Sequence, residues 1–171
     1  DETYTCTYSS GGVKTVRFGG TATGYSNDIN TAAIRFNISY NSVDTNAKKI
    51  ASISGSLGQI FGTITNPTTG SEQPSFNGTF FYASNMMGTT ESISDQNNSG
   101  MNYALPPTLF DGISGAPAAG MFQSTFESCS GLTGSIPSGL FGNLSGAPAR
   151  YMFSGTFYGC SGLTGSIPSG L

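Results

Sequence analysis

The last third of the chain is one segment written twice. Residues 109–139 read LFDGISGAPAAGMFQSTFESCSGLTGSIPSG, and residues 140–170 read LFGNLSGAPARYMFSGTFYGCSGLTGSIPSG. The period is 31 residues, and 22 of the 31 positions are identical. A fixed period of this length is the signature of stacked repeats, each of which buries its apolar side against its neighbours.

A third, diverged copy precedes the two. SFNGTF at 75–80 aligns with MFQSTF at 121–126 and MFSGTF at 152–157, and ISGSL at 53–57 aligns with LTGSI at 132–136 and 163–167. Equivalent apolar residues should therefore form columns through a stack of coils. The expected columns are Phe76/Phe122/Phe153, Phe80/Phe126/Phe157, Met86/Leu132/Leu163 and Leu57/Leu105/Ile136/Ile167.

The first 50 residues carry a different pattern. Residues 3–8, 13–18 and 33–40 are rich in β-branched and aromatic residues, and Gly-rich turns separate the first two runs. Such runs predict short strands of a small antiparallel unit. In the repeats we expect short parallel strands around the LTGSIP segments.

The run TFYGCSGLTGSIP at 156–168, which recurs at 125–137, resembles the BspA-like leucine-rich repeat of bacterial surface proteins. TYTCTYSSGGVKTVRFGGT at 3–21 resembles the last strands of a PKD-like β module. The resemblance implies a mainly β fold: an antiparallel β domain at 1–50, then a leucine-rich-repeat solenoid of about four coils at 51–171. The spacing between the copies predicts that a loop is inserted at 89–103.

Composition excludes several function classes. Histidine is absent and 9% of residues are charged, so the commonest catalytic base and metal ligand are missing. The acidic residues show no recurring pair for glycoside hydrolysis, no basic stripe suits nucleic acid, and no apolar run is long enough to span a membrane. We therefore expect no enzyme activity, no cofactor and no metal.

Cys129 and Cys160 occupy the same repeat position, so they could form a disulfide or a thiolate metal site. The diverged copy has Ala83 there, which favours a small buried slot holding free thiols. Cys6 has no obvious partner.

Candidate contact residues come from the positions at which the two close copies differ, because such side chains should face solvent. Tyrosine and arginine among them are frequent in binding hot spots, although neutral drift would give the same differences. The inserted loop adds two oxygen-bearing residues, and four sequons allow glycosylation. The predicted contact residues are Arg150, Tyr151, Tyr158, Glu127, Gln123, Asp95 and Asn97; the sequons begin at Asn37, Asn77, Asn97 and Asn143.

The resemblance implies a non-catalytic, secreted or surface-attached protein of adhesion. Its partners would be a host or matrix protein, a glycan, or further copies of itself stacked end to end into rods or filaments. The alternative is a purely structural filament subunit with no ligand. Leu171 would begin another repeat, which favours end-to-end assembly or a longer rod.

Overall fold

A computed structural model of the protein describes residues 9–25, 28, 30–36, 49–62, 64, 72–87 and 103–168. Within these ranges the named secondary structure is one four-residue 3₁₀-helix, Gly58–Phe61. Three isolated parallel bridges pair Tyr103 with Ser135, Gly115 with Leu144, and Gly134 with Leu163. No sheet forms in the described part of the chain, so the prediction of a mainly β leucine-rich-repeat solenoid was wrong.

Around the LTGSIP segments at 132–137 and 163–168, where short parallel strands were predicted, the described residues form isolated bridges and no strand. The segments that precede them are built from turns. Three segments of eleven residues lie side by side in parallel: layer 1 (residues 73–83), layer 2 (119–129) and layer 3 (150–160). Residues with a positive φ recur four apart: Gly120 (61°), Ser124 (52°) and Ser128 (61°) in layer 2, the three equivalent residues in layer 3, and two of the three, Gly78 (64°) and Tyr82 (61°), in layer 1. A left-handed residue ends any extended run, which is why these layers cannot be strands.

Backbone N–H groups alternate between two kinds of partner. In layer 2 the N–H groups of Gln123 and Thr125 donate to carbonyls three residues earlier, at 3.0 and 3.2 Å. The N–H groups of Phe122 and Ser124 donate instead to Met152 and Ser154 of layer 3, both at 2.9 Å. Each layer is thus a series of turns that is hydrogen-bonded to the next layer at every second residue.

Two of the predicted columns are confirmed by stacked phenyl rings. The rings of Phe80, Phe126 and Phe157 follow one another at 5.4 Å with interplanar angles of 5° and 8°. Phe76, Phe122 and Phe153 follow at 5.5 and 5.7 Å with angles of 2° and 11°. The apolar core therefore runs along the stack rather than lying between two sheets.

Buried hydroxyls and thiols bind the layers together. The Oγ1 atoms of Thr125 and Thr156 each donate to the phenylalanine carbonyl of the preceding layer at 2.8 Å. The Sγ atoms of Cys129 and Cys160 donate to carbonyls of the preceding layer at 3.1 and 3.0 Å. Layers 2 and 3 thus each donate two buried side-chain hydrogen bonds to the preceding layer, and these bonds form only when the layers are in the correct register.

The 3₁₀-helix packs against residues 109–111, the segment that begins the repeat copy containing layer 2. The N–H groups of Leu57 and Gly58 both donate to the carbonyl of Leu109, at 2.8 and 3.2 Å. A Cβ on Gly58 would collide with the Asp111 carbonyl oxygen, so the helix can approach this closely only because residue 58 is glycine.

The predicted strand at 13–18 is also wrong. Its residues form no strand, and Val13 is 85% exposed. The described part of the run at 33–40, residues 33–36, has no strand pairing either; we name it the cap segment because it lies on layer 1. Residues 3–8 fall outside the described residues.

The cap segment copies part of a layer. Ala33 N–H donates to the Ser75 carbonyl at 2.6 Å, and Phe36 N–H donates to the Thr79 carbonyl at 2.9 Å. The Phe36 ring stacks on Phe80 at 5.1 Å and 16°, which extends the second column by one ring. These contacts join residues on the two sides of the domain boundary predicted at residue 50. That boundary stays a prediction.

The described residues include no helix that is both long and apolar enough to cross a membrane.

Candidate interaction surface

The end of the stack formed by layer 3 exposes backbone donors. The N–H groups that layer 2 directs at layer 3 belong to Gly120, Phe122, Ser124, Phe126 and Ser128. Their equivalents in layer 3 have no hydrogen-bond acceptor among the described residues; they are the N–H groups of Tyr151, Phe153, Gly155, Phe157 and Gly159. We call these five groups, with the rings of Phe153 and Phe157, the outer face of layer 3.

Two aromatic rings share this face. Phe122 and Phe126 of layer 2 are fully buried, whereas Phe153 and Phe157 of layer 3 are only partly buried, since no further ring covers them. Beside Phe153 lies a cavity of ≈ 120 Å³ between the rings of Phe141 and Phe153 and the side chains of Leu144 and Pro148. The outer face therefore combines apolar rings with backbone N–H donors that have no acceptor among the described residues.

The carbonyls of layer 3 are already used. Those of Met152, Ser154 and Thr156 accept from layer 2, while those of Phe153 and Gly155 accept from N–H groups within the layer. A partner must therefore bring hydrogen-bond acceptors to this face.

Three of the predicted contact residues are exposed on the sides of layer 3. Tyr158 is 72% exposed and Tyr151 is 50% exposed. The guanidinium of Arg150 lies 4.5 Å from the centroid of the Tyr151 ring and donates to its hydroxyl at 2.7 Å. Arg150 and Tyr151 thus form one preorganised aromatic and cationic patch.

The remaining predicted contact residues are placed differently. Gln123 and Glu127 are half-buried in layer 2, and the carboxylate of Glu127 lies close to Gly155 of layer 3. Asp95 and Asn97 fall outside the described residues. Tyr103, which closes the predicted insert at 89–103, is buried and bridged to Ser135.

The sequons also differ in accessibility. Asn143 is exposed, and its Nδ2 lies 3.5 Å from the Asp111 carboxylate. Asn77 is 5% exposed in layer 1, so a glycan there would need layer 1 to open. Asn37 and Asn97 fall outside the described residues.

Comparisons with protein families, curated proteins and solved structures found no match. The resemblance to BspA-like repeats stays a prediction.

Sequence reasoning missed the five N–H groups of the outer face. Backbone groups carry no residue type, and only the turn geometry shows which of them point along the stack. Phe153 and Phe157 were expected as members of core columns, and the structure shows both rings only partly buried.

The two described cysteines are buried free thiols, as the alanine at position 83 suggested. No group of three or more Cys, Asp or Glu that could hold a metal occurs in the described ranges. Burial, and after it the neighbouring Cys160, raise the pKa of the Cys129 thiol well above its usual value. Burial, with a smaller contribution from the Glu127 carboxylate, raises the pKa of Cys160 from 9.0 to about 11.

These shifts predict a loss of stability in alkali. A thiol whose pKa is higher in the folded chain stabilises the fold fully below the unfolded pKa, and this contribution is lost as pH rises from 9 through 11. We expect the free energy of unfolding of the reduced wild type to fall more steeply across this interval than that of Cys160→Ala, measured by urea denaturation at each pH. Equal slopes would contradict the assignment. Alanine is a suitable replacement because Ala83 fills the equivalent buried site.

Proposed function

We propose that this chain is a non-catalytic interaction protein that associates end to end through the outer face of layer 3. The observation that carries the proposal is the row of five N–H groups that find no acceptor among the described residues, beside two partly buried phenyl rings. Inside the molecule, each equivalent row is covered by a further layer.

The chemistry of the face supports a head-to-tail contact. Two copies joined by a twofold axis through this face would set N–H groups against N–H groups, which gives no hydrogen bonds. A partner surface with carbonyls at every second residue satisfies the row instead. Such a heterologous contact repeats from copy to copy and produces rods or filaments when it does not close into a ring.

The resemblance to BspA-like proteins supports placing this assembly outside the cell, in surface adhesion. A second candidate function is recognition of a host or matrix protein or a glycan on the sides of the rod. The exposed Arg150, Tyr151 and Tyr158 favour it, because such side chains dominate binding hot spots. Without that recognition the chain would be a structural filament subunit.

The test is sedimentation velocity over a range of protein concentrations. We expect wild type to associate, and Phe157→Asp to associate at least about tenfold more weakly, because the new carboxylate would be buried without a counter-charge. Tyr158→Asp is the matched control: it places the same charge one residue away on the side of layer 3, and it should associate like wild type. Equal association of wild type and Phe157→Asp would refute the proposal.

The same pair of variants separates the two candidate functions. Loss of binding to matrix proteins or glycans in Tyr158→Asp, with association intact, would establish side recognition as a separate activity. A wild type that binds neither matrix proteins nor glycans would leave the filament role alone, and equal binding by all three proteins would place the recognition away from Tyr158.

A further inference from the structure

The end of the stack opposite to the outer face of layer 3 is covered. Three carbonyls of layer 1 face the cap segment, and each accepts a hydrogen bond from it; they belong to Ser75, Asn77 and Thr79. Residues 21–25 cover the same end, where the Tyr25 ring packs edge-on against Phe61 at 5.0 Å. A second copy that docks at this end therefore meets the outer side of the covering, not layer 1.

An exposed apolar segment lies on this outer side. We name residues 15–19 the tail segment; it contacts the cap segment through the ring of Phe18, which meets the Phe36 ring edge-on at 5.6 Å. Val16 is nevertheless 51% exposed and Phe18 is 58% exposed. No other phenylalanine in the described ranges is exposed to this degree. Apolar side chains grouped on a surface in this way are typical of a site that contacts a partner.

The backbone of the tail segment can accept hydrogen bonds. No N–H or carbonyl group of residues 15–19 forms a hydrogen bond within the described part of the chain. The residues between Gly12 and Gly20 form neither turn nor helix, and none of them has a positive φ. Alternate residues of such a run face the same way, so its carbonyls repeat at every second residue. The N–H groups on the outer face of layer 3 also repeat at every second residue.

One series of aromatic rings connects the tail segment with the outer face of layer 3. Neighbouring rings in this series lie 5.1–5.6 Å apart; in order they are Phe18, Phe36, Phe80, Phe126 and Phe157. Phe80 and Phe126 are buried, whereas the terminal rings Phe18 and Phe157 keep exposed surface. In a head-to-tail arrangement the two terminal rings of neighbouring copies come to the same contact, and the series continues from one copy to the next.

We infer that the surface which receives the outer face of layer 3 is the tail segment of a second copy. The carbonyls of residues 15–19 accept hydrogen bonds from the row of N–H groups, and Phe18 packs on the exposed parts of the Phe153 and Phe157 rings. This inference rests on the proposed end-to-end association and names its second surface. The covering of layer 1 stays in place in both copies.

Variants of Phe18 test the inference by sedimentation velocity. Phe18→Asp should associate at least about tenfold more weakly than wild type, because its carboxylate would be buried against two phenyl rings. Phe18→Ala, which adds no charge beside Phe36, should associate about fivefold more weakly through loss of one aromatic pair. Val13→Asp is the matched control: it places the same charge earlier in the same exposed run, outside the tail segment, and should associate like wild type.

A mixing experiment then shows whether the two surfaces bind each other. Phe18→Asp keeps the outer face of layer 3 and Phe157→Asp keeps the tail segment, so an equal mixture should form a dimer that grows no further. If Phe157→Asp associates weakly but both Phe18 variants associate like wild type, the tail segment is refuted while end-to-end association stands. A mixture without dimer, when both variants unfold in urea like wild type, refutes it as well. If Phe157→Asp associates as well as wild type, the proposed function itself fails.

Discussion

Replacing Phe122 by alanine is expected to lower the free energy of unfolding by about 3–5 kcal/mol. The side chain is 0% exposed, and its ring packs against four others. The centroid distances are 5.5 Å to Phe76, 4.8 Å to Phe110, 4.6 Å to Phe141 and 5.7 Å to Phe153. Truncation would leave a cavity in the middle of the stack, where neighbours on both sides are held by interlayer hydrogen bonds and cannot close in.

Phe153→Ala is the matched control for this prediction. It removes the same ring from the same column, but at the end of the stack, where the ring is only partly buried. We expect less than half the loss, measured for both variants by urea denaturation. Equal losses would mean that position in the stack does not matter, which would contradict a core that runs along the columns.

Replacing Gly131 by alanine should also destabilise the fold, by about 1–3 kcal/mol. A Cβ at this position would lie 2.6 Å from the Ser84 carbonyl oxygen and 2.9 Å from that of Met86. Both atoms belong to backbone, so the turn after layer 2 must move away from the turn after layer 1. Gly162 stands in the same relation to the Leu132 carbonyl, which shows that the close approach belongs to the repeat.

Gly139→Ala is the control, because nothing lies within 4 Å of a Cβ there. It should leave stability unchanged or raise it slightly, since alanine restricts the unfolded chain. In a thermal melt, Gly131→Ala should lower the midpoint by roughly 2–4 °C for each kcal/mol lost. A melt in which both glycine variants match wild type would show that the turns do not pack this closely.

The register of the stack could be predicted from sequence, and its secondary structure could not. Aligning SFNGTF with MFQSTF and MFSGTF was enough to place Phe76, Phe122 and Phe153 in one column, because side chains repeat with the sequence. The conformation of the backbone cannot be read from the residue types in the same way. Ser124, Ser128 and Tyr151 all take positive φ, which residues other than glycine seldom do, so nothing in the residue types announces the turns.

The N-terminal prediction failed for a related reason. Alternation at 33–40 indicates a strand only when a partner strand exists, and the described residues of this run find layer 1 instead. The Phe36 ring is partly buried and packs against Phe80 rather than within a sheet. The candidate site was predictable only in part. The exposure of Arg150, Tyr151 and Tyr158 followed from the differences between the two close copies. The outer face of layer 3 could not be predicted, because it depends on the direction of backbone hydrogen bonds.

The alternation of N–H partners gives each layer a reading frame. Inserting one residue inside a layer would exchange the N–H groups that close turns with those that reach the next layer, and it would shift every left-handed position. Insertions within a layer should therefore be tolerated only in fours, and other changes of length should fall between layers. The spacing agrees: Phe76 to Phe122 spans 46 residues and Phe122 to Phe153 spans 31, yet Phe76–Phe80, Phe122–Phe126 and Phe153–Phe157 are all four apart. The cap segment is out of frame, since its two donors are three residues apart, and a single added residue could bring it into frame.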